Sequence, residues 1–244
     1  MTIEANDYLN RVFGEGALRV SARKHLKGYI GEYDWKNKVD PLQPTPIENG
    51  GQQLLITEYH AMGHFRGMKM LPGYRMVEFM ALLSRYGISE MRNVKFHRIV
   101  VPGDTLTARE TNGRTDILRD GKEIAEAEAL FSETGIKPHE FGMILELAAQ
   151  TIGADISQTL PEVSPVSHPL LQSCRRIWSS SIGDSDSLSV HITALAENEQ
   201  RRQRYMASAV IVNQQGVEVA VVEDLSLLLT SPDLFPTLAA MGRN

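Results

Sequence analysis

The sequence has little of what several classes of protein require. Its 244 residues include a single cysteine, Cys174, so neither an intrachain disulfide nor a cysteine-based zinc site can form. Lysine and arginine total 25 against 30 acidic residues, and this net charge of −5 argues against a nucleic-acid-binding face. No apolar run approaches the ~20 residues of a membrane span. The opening residues "MTIEANDYLN" lack the order of a signal peptide, so we expect a cytoplasmic protein that binds neither nucleic acid nor membrane.

The residues that are present favour a mixed α+β protein. Hydrophobic residues make up 42% of the chain, which is enough for a real core. Two segments, at about 74–86 and 139–156, are apolar on nearly every face, which predicts two buried helices. A short helix at 6–13 and a loop at 40–51 are predicted before them. Predicted strands cover residues 17–22, 53–58, 93–101, 104–110, 122–132, 174–182, 187–197, 204–213 and 216–229.

This order of elements repeats. The segment "GKEIAEAEAL" (121–130) aligns without a gap on "GVEVAVVEDL" (216–225), with matched glycines and glutamates. Gly-Asp pairs at 103–104 and 183–184 also stand at corresponding turns. The pattern predicts a duplication in which each half has one buried helix followed by three or four antiparallel strands. We expect the halves to be residues 1–136 and 137–244.

One apolar stretch carries residues suited to chemistry. "GHFRGMKMLPGYRMVEFM" (63–80) places His64 and Glu78 fourteen residues apart, with Pro72-Gly73 between them at a predicted helix start. The second half contains the related "FGMILELAAQ" (141–150), which has a glutamate but no histidine loop before it.

This stretch resembles the "HFPG…MPG…E" signature of the hot-dog-fold 3-hydroxyacyl-[acyl-carrier-protein] dehydratases. The resemblance covers about residues 53–133 and includes "VKFHRIVVPGDTLT" (94–107). It implies a double hot-dog, in which two central helices are each wrapped by an antiparallel sheet. It also implies dehydration of 3-hydroxyacyl thioesters to trans-2-enoyl thioesters, in fatty-acid or polyketide-like biosynthesis and without a cofactor.

Dehydration needs a base, an acid and a donor for the thioester oxygen. Histidine suits the base, and a carboxyl group serves as the acid when burial raises its pKa. The resemblance assigns His64 as the base and the Gly73 amide as the oxyanion donor. In that family the histidine and the acid come from different subunits, which here implies Glu146 of the second half as the acid. Glu78 is then a vestigial or alternative acid, because the second half has no histidine loop to face it.

The resemblance also implies substrate- or carrier-binding residues. Basic residues near the site would suit an acidic carrier protein, and Arg66 and Lys69 stand where the family has proline. The residues expected to bind the acyl chain or the carrier are Phe65, Gly67, Arg66, Lys69, Arg75 and Gln150.

Other functions stay open from the sequence. The alternatives are a hot-dog thioesterase and a non-catalytic acyl-binding subunit. The carrier of the thioester is either acyl carrier protein or coenzyme A, and pairing into a homodimer or hetero-oligomer is not settled. No metal is expected, because no histidine has a metal-ligand spacing with carboxylates. The histidines considered were His60, His97, His139, His168 and His191.

Overall fold

The structure is a computed structural model that describes residues 19–20, 42–61, 69–159, 168–180, 188–197 and 204–230. Within these ranges the helices are α1 (Glu58–Ala61), α2 (Gly73–Ala81) and α3 (Pro138–Thr159), with a 3₁₀ turn at Glu48–Gly50. The strands are β1 (Arg19–Val20), β2 (Thr45–Pro46), β3 (Gln52–Leu55), β4 (Gly87–Phe96), β5 (Thr105–Thr111), β6 (Arg114–Arg119), β7 (Lys122–Ser132), β8 (His168–Ser179), β9 (Ser189–Glu197), β10 (Arg204–Val212) and β11 (Glu218–Thr230). None of the described helices is long and apolar enough to span a membrane.

The strands of the described chain form one antiparallel sheet in the order β1-β9-β10-β11-β8-β4-β7-β6-β5-β3-β2. Apart from β2 at one end, the order is symmetric about the β4–β8 pair, from which β7, β6, β5 and β3 run one way and β11, β10, β9 and β1 the other. The segments that align in sequence, β7 and β11, therefore occupy equivalent places. Gly121 and Gly216, which precede them, have similar positive φ angles of 75° and 77°. The predicted duplication is confirmed, and the two sheets are joined into one.

The first strand complicates the division of the chain into halves. Arg19 and Val20 pair with His191 and Val190 of β9, whereas β3 holds the equivalent place against β5. Residues 19–20 therefore lie with the C-terminal part of the sheet, although they come first in the chain. The boundary at residue 136 stays a prediction, and it falls between β7 and α3.

The two central helices pack against each other and against strands of the sheet. Every residue of α2 from Tyr74 to Ala81 is buried, and so is every residue of α3 from Phe141 to Gln150. Both runs are mostly apolar and are enclosed on all sides, as expected of helices that are apolar all round. The prediction of two buried helices lying side by side is confirmed.

Several predicted boundaries were wrong. Helix α2 ends at Ala81 and not at residue 86, and the amide of Gln52 donates to the Leu82 carbonyl at its end. Strand β4 begins at Gly87 and ends at Phe96, so the predicted strand 93–101 was misplaced. Beyond it, the Val100 carbonyl accepts the Leu71 N–H at 2.8 Å, so this backbone binds the start of α2 and not a neighbouring strand.

Shorter errors have similar causes. Strand β3 ends at Leu55, and the predicted residues 56–58 lead into α1. Strand β8 begins at His168, six residues before the predicted start, because its first part pairs with β11. The predicted helix 6–13 and the turn at 183–184 lie outside the described residues.

Strand β6 was not predicted, although its ends carry strong turn signals. Asn112-Gly113 and Asp120-Gly121 precede and follow it, and all four residues have positive φ. Two consecutive residues with positive φ form the type I′ turn that favours tight hairpins. The two dipeptides therefore make β5, β6 and β7 a continuous meander.

The segment that joins the two halves is held by a glycine pair. Ile88 and Ile136 exchange backbone hydrogen bonds of 2.9 and 3.0 Å. A Cβ placed on Gly135 would lie 2.4 Å from the Gly87 carbonyl carbon, so this approach requires glycine. The contact fixes the chain two residues before α3 begins.

Candidate active site

The predicted site residues divide into those that the structure describes and those that it does not. Gly73, Arg75 and Glu78 lie on α2, and Glu146 and Gln150 lie on α3. Lys69 precedes α2. The segment with His64, Phe65, Arg66 and Gly67 lies outside the described residues, so the predicted roles of those four stay predictions.

The start of α2 is anchored from both sides. Pro72 is extended, with ψ of 150°, and its carbonyl accepts the Arg75 N–H at 3.0 Å. Just before it, Leu71 donates to Val100. Gly73 is thus the first helical residue, where backbone N–H groups have no partner within the helix and the helix dipole favours negative charge. This position suits an oxyanion donor.

Gly73 has a packing role that the sequence did not predict. A Cβ at this position would lie 2.9 Å from Leu171 Cδ1 and 3.4 Å from Phe96 Cζ. Leu171 belongs to β8 and Phe96 ends β4, so the glycine lies where the two halves of the sheet meet the helix. Its missing side chain therefore has a structural reason besides substrate approach.

A second glycine sets the distance between the helices. A Cβ on Gly142 would lie 2.7 Å from the Tyr74 carbonyl oxygen and 3.5 Å from Glu78 Cβ. Helix α3 can therefore approach the first turn of α2 only because residue 142 has no side chain. The sequence signal for this contact is a lone glycine within an apolar helix, in "FGMIL".

Glu146 lies one turn beyond that contact and is buried. One of its carboxylate oxygens, Oε1, accepts a hydrogen bond of 2.8 Å from Gln150 Nε2. The other end of the Gln150 amide, Oε1, is buried and meets no hydrogen-bond donor among the described residues. The pair places a carboxyl group and an unused amide oxygen on the same face of α3.

Glu78 is fully buried in α2 and has a different environment. Its Oε2 atom is 2.6 Å from Arg75 Nη1, and its Oε1 atom accepts the Leu42 N–H at 2.8 Å. His139 Nδ1 lies 3.7 Å from Oε2, beyond hydrogen-bond length but close enough for an electrostatic contact. Burial by itself would raise the pKa of Glu78, but His139, the Arg75 guanidinium and the Leu42 amide together outweigh it and lower the pKa from its usual value.

Two expectations about these residues were wrong. Arg75 does not offer positive charge at the surface, because it is 3% exposed and forms an ion pair with Glu78. Glu78 does face a histidine of the second half, since His139 lies beside it at the start of α3. That histidine lies on helix α3 itself.

Tyr74 lies near both glutamates and is buried beside Arg75. Burial raises the pKa of its phenol well above the usual range; Arg75 acts in the opposite direction, and the nearby Glu146 and Glu78 add to the rise. The phenol therefore stays neutral between the two carboxyl groups.

Lys69 is an exposed residue, as predicted for a contact with a carrier. Its ammonium group lies 2.5 Å from Glu58 Oε2 of α1, and both side chains are 63% exposed. An exposed pair of this kind contributes little to stability and is readily exchanged for another partner.

One histidine does approach carboxylates, although its sequence spacing gave no sign of this. His97 Nε2 lies 3.3 Å from Glu123 and 3.5 Å from Glu126. Arg114 pairs with both carboxylates, and Lys95 pairs with Glu126 at 2.8 Å. The carboxylates are thus already neutralised by cationic side chains, and the group is best described as a surface ion-pair network.

Comparison with known proteins gives one curated relative and many similar structures. The chain is 29% identical over 83 residues to "3-hydroxyacyl-[acyl-carrier-protein] dehydratase FabZ" of Clostridium acetobutylicum, a match that covers 29% of this chain. The chain spans 59% of the length of that relative. No protein-family model matches the sequence.

The similar solved structures cover far more of the chain. The dehydratase domain from the CurJ module of curacin polyketide synthase superposes with a TM-score of 0.59 at 10% identity, covering 80% of this chain and 98% of that domain. GphF dehydratase 1 superposes with a TM-score of 0.56 at 13% identity, covering 79% of this chain and 100% of that one. The dehydratase domain of PpsC from Mycobacterium tuberculosis, in complex with C12:1-CoA, gives 0.52 at 12% identity, covering 77% and 97%.

The fold is a double hot-dog. In the double hot-dog of this chain, each half contributes one central helix and its own portion of the shared sheet. The crossing of α2 and α3 lies between the halves, and the candidate site residues that the structure describes lie on or beside these two helices.

Proposed function

We propose that this protein is a dehydratase that converts 3-hydroxyacyl thioesters into trans-2-enoyl thioesters. The observation that carries the proposal is Glu146, a buried carboxyl group on the helix that crosses the start of α2 at Gly142. The resemblance of the His64 segment and the dehydratase domains of the same fold support it. The helix start at Gly73 adds a donor for the thioester oxygen.

The chemistry assigns one task to each residue. His64 removes a proton from C2 of the substrate, and the Gly73 amide stabilises the negative charge on the thioester oxygen. Glu146 donates a proton to the C3 hydroxyl, the C3–O bond breaks, and water leaves as the C2–C3 double bond forms. Transfer of the abstracted proton from His64 back to Glu146 restores the starting state. Gln150 orients Glu146 through its amide N–H, and its Oε1 atom is available to a hydroxyl donor.

Glu146 is preferred to Glu78 as the acid because of what surrounds each group. A general acid must hold a proton at working pH, and the contacts of Glu78 lower its pKa. Gln150 is a neutral donor to Glu146, whereas Arg75 brings a full charge to Glu78. The proposed site therefore spans the halves, with the base from the first and the acid from the second.

The carrier of the thioester is proposed to be acyl carrier protein, with coenzyme A as the alternative. An acidic carrier requires exposed cations, and Lys69 is one because its side chain is exposed and pairs with an exposed glutamate, Glu58. Arg66 is a second candidate from the sequence. Arg75 is excluded because it is buried. A cytoplasmic location and pairing with a second chain stay predictions.

The test is incubation of the purified protein with a 3-hydroxyacyl thioester on acyl carrier protein or on coenzyme A. Mass spectrometry distinguishes loss of water, which supports the proposal, from release of the free acid, which indicates a thioesterase. Binding with no reaction indicates an acyl-binding subunit. His64→Ala and Glu146→Gln are each expected to lower turnover about 10²–10⁴-fold, and their double variant is expected to be little worse.

Circular dichroism of each variant is the control for folding. If Glu146→Gln keeps its turnover while Glu78→Gln loses it in a folded protein, the acid comes from the half that contains His64. The assignment across the halves would then be wrong.

A further inference from the structure

We propose that the second acidic position of the double hot-dog is closed by the protein itself: Arg75 and Leu42 hold Glu78 as a permanently charged anchor that takes no substrate. The geometric part of this proposal stands by itself. Its catalytic consequence rests on the dehydratase function proposed above.

The first support is that the protein already occupies the Glu78 carboxylate. Both of its oxygens have donors, since Oε2 meets Arg75 Nη1 at 2.6 Å and Oε1 meets the Leu42 N–H at 2.8 Å. Glu78 and Arg75 are 0% and 3% exposed. A substrate hydroxyl that approached this carboxylate would have to displace a buried guanidinium or a main-chain amide.

The second support is the nature of the donors. An arginine side chain stays charged at every pH at which the protein is folded, so it favours the ionised form of Glu78 over that whole pH range. A buried carboxylate with a cation and a backbone N–H as donors is a poor proton source, because both donors favour the ionised form, which carries no proton to give. The lowered pKa of Glu78 agrees with this geometry.

The third support is that the anchor connects separate segments. Leu42 belongs to the chain before β2 and is itself part of the core, while Arg75 and Glu78 lie three residues apart on α2. His139 approaches the same carboxylate from the first turn of α3. One buried charge therefore connects the N-terminal chain segment and both central helices.

Among the described residues, the charged or titratable groups that act on Glu78 or on its neighbour Tyr74 enter the test. Tyr74 and Arg75 come from α2, His139 and Glu146 from α3, and His60 from α1, where the Arg75 and Glu78 charges both act on it. Among them Arg75 is the permanent cation, so it is the residue to remove.

The experiment is a double-mutant cycle read as melting temperature, using wild type, Glu78→Gln, Arg75→Met and Arg75→Met/Glu78→Gln. In wild type at neutral pH, Glu78→Gln is expected to lower Tm by about 10 °C, because it removes the carboxylate charge that the buried Arg75 guanidinium contacts. In the Arg75→Met background the same change is expected to raise Tm, because it removes a buried carboxylate that has lost its cation. The sign of the Glu78→Gln effect therefore reverses.

The pH dependence of stability gives a second test of the charge on Glu78. A lowered pKa in the folded state gives stability that is present above the unfolded value of 4.5 and is lost as pH falls through the folded value. The wild-type advantage over Glu78→Gln should thus shrink below about pH 4.5. In the Arg75→Met background, burial should raise the pKa of Glu78. The loss of stability caused by keeping Glu78 in that background should then grow as pH rises above about 4.5.

Two outcomes of the melting experiments overturn the proposal. One is a Glu78→Gln effect of the same sign and size in both backgrounds. The other is a reversal of the Glu78→Gln effect in a His139→Ala background but not in the Arg75→Met background. If Arg75→Met does not fold, carbon-13 NMR of the labelled wild type decides, with the Glu78 carboxyl signal assigned by its loss in Glu78→Gln; a signal that titrates above pH 4.5 overturns the anchor. Arg75→Lys, which keeps the charge, is the conservative rescue.

Turnover separates this proposal from the function on which it partly rests. Folded Glu78→Gln is expected to keep the kcat and KM of wild type on the 3-hydroxyacyl thioester, since a closed position binds no substrate. A large loss of kcat in folded Glu78→Gln overturns the closed site. If wild type releases no water from the thioester, the proposed function fails, while the double-mutant cycle still decides the charge state of Glu78.

Discussion

The contact between Gly142 of α3 and Tyr74 of α2 offers a sharp test of how the fold sets the site. Replacing Gly142 by alanine places a Cβ 2.7 Å from the Tyr74 carbonyl oxygen, whereas ordinary contact begins at 3.4 Å. The obstacle is backbone and cannot rotate away, so α3 must move from α2 by about 0.7 Å. Gly142 lies one turn before Glu146, and Tyr74 directly follows Gly73. The displacement therefore separates the proposed acid from the proposed oxyanion donor.

Two magnitudes follow from this shift. Overpacking of a filled core costs about 1–3 kcal/mol, which corresponds to a fall in Tm of about 2–12 °C for a chain of this size. Misplacement of a catalytic group by 1 Å costs on the order of 10²-fold, so a shift of about 0.7 Å should lower kcat by roughly 10–100-fold. KM should change less than kcat, because the acid acts mainly in the transition state.

The assay needs a control with a similar loss of stability and no change of spacing. Ile152→Val suits this purpose, because Ile152 is buried on the same helix and its truncation costs about 0.5–1.5 kcal/mol. Steady-state dehydration and thermal unfolding are measured for wild type and both variants. If Gly142→Ala lowers kcat no more than Ile152→Val does, the spacing of the helices does not set the rate and the reasoning is refuted.

Two other glycines give predictions of different kinds. Gly73→Ala should lower turnover strongly and Tm by only a few degrees, because the Leu171 side chain that it meets can move; recovery of turnover in Gly73→Ala/Leu171→Ala would show that packing, and not the amide, is what matters. Gly135→Ala should lower Tm by about 5–10 °C, because its Cβ would meet the Gly87 backbone at 2.4 Å and break the bridge beside it. Thermal unfolding checks the second prediction, and an unchanged Tm contradicts it.

The sequence predicted elements well where one local pattern decided the outcome. The bounds of β7 were predicted as the structure has them, because small residues alternate with larger ones along its length. Ala125, Ala127 and Ala129 face the helices and are buried, while Glu128 and Leu130 face outward and are exposed. A period of two residues is a property of the strand itself and needs no knowledge of its neighbours.

Prediction failed where distant contacts set the boundary. Strand β4 is fixed by pairing with β7 on one side and β8 on the other. The contacting residues are far apart in sequence: Ser89 and Leu130 by 41 positions, and Glu90 and Arg176 by 86. The apolar run of residues 93–101 looked like a strand, yet its second part binds the start of α2. Local hydrophobicity cannot distinguish a ladder partner from a helix start.

The candidate site shows the same division. A buried Glu78 was foreseen from its apolar helix, and its pairing with Arg75 at i and i+3 was accessible from the sequence spacing but was missed. The approach of His139 was not accessible, because it depends on how α3 crosses α2. The crossing in turn depends on Gly142, whose role appears only when Tyr74 is placed opposite it.

The two buried glutamates of the central helices, Glu78 and Glu146, contact different hydrogen-bond donors. A buried carboxyl group must either keep its proton or find compensating charge, since an unpaired carboxylate in the interior is strongly unfavourable. Arg75 supplies that charge to Glu78 from one turn away, and the Leu42 amide completes it. Glu146 accepts a hydrogen bond from the neutral amide of Gln150. Under the proposed function one histidine needs only one acid, and a cation placed on the same helix is a direct way to give the other carboxyl group a structural role.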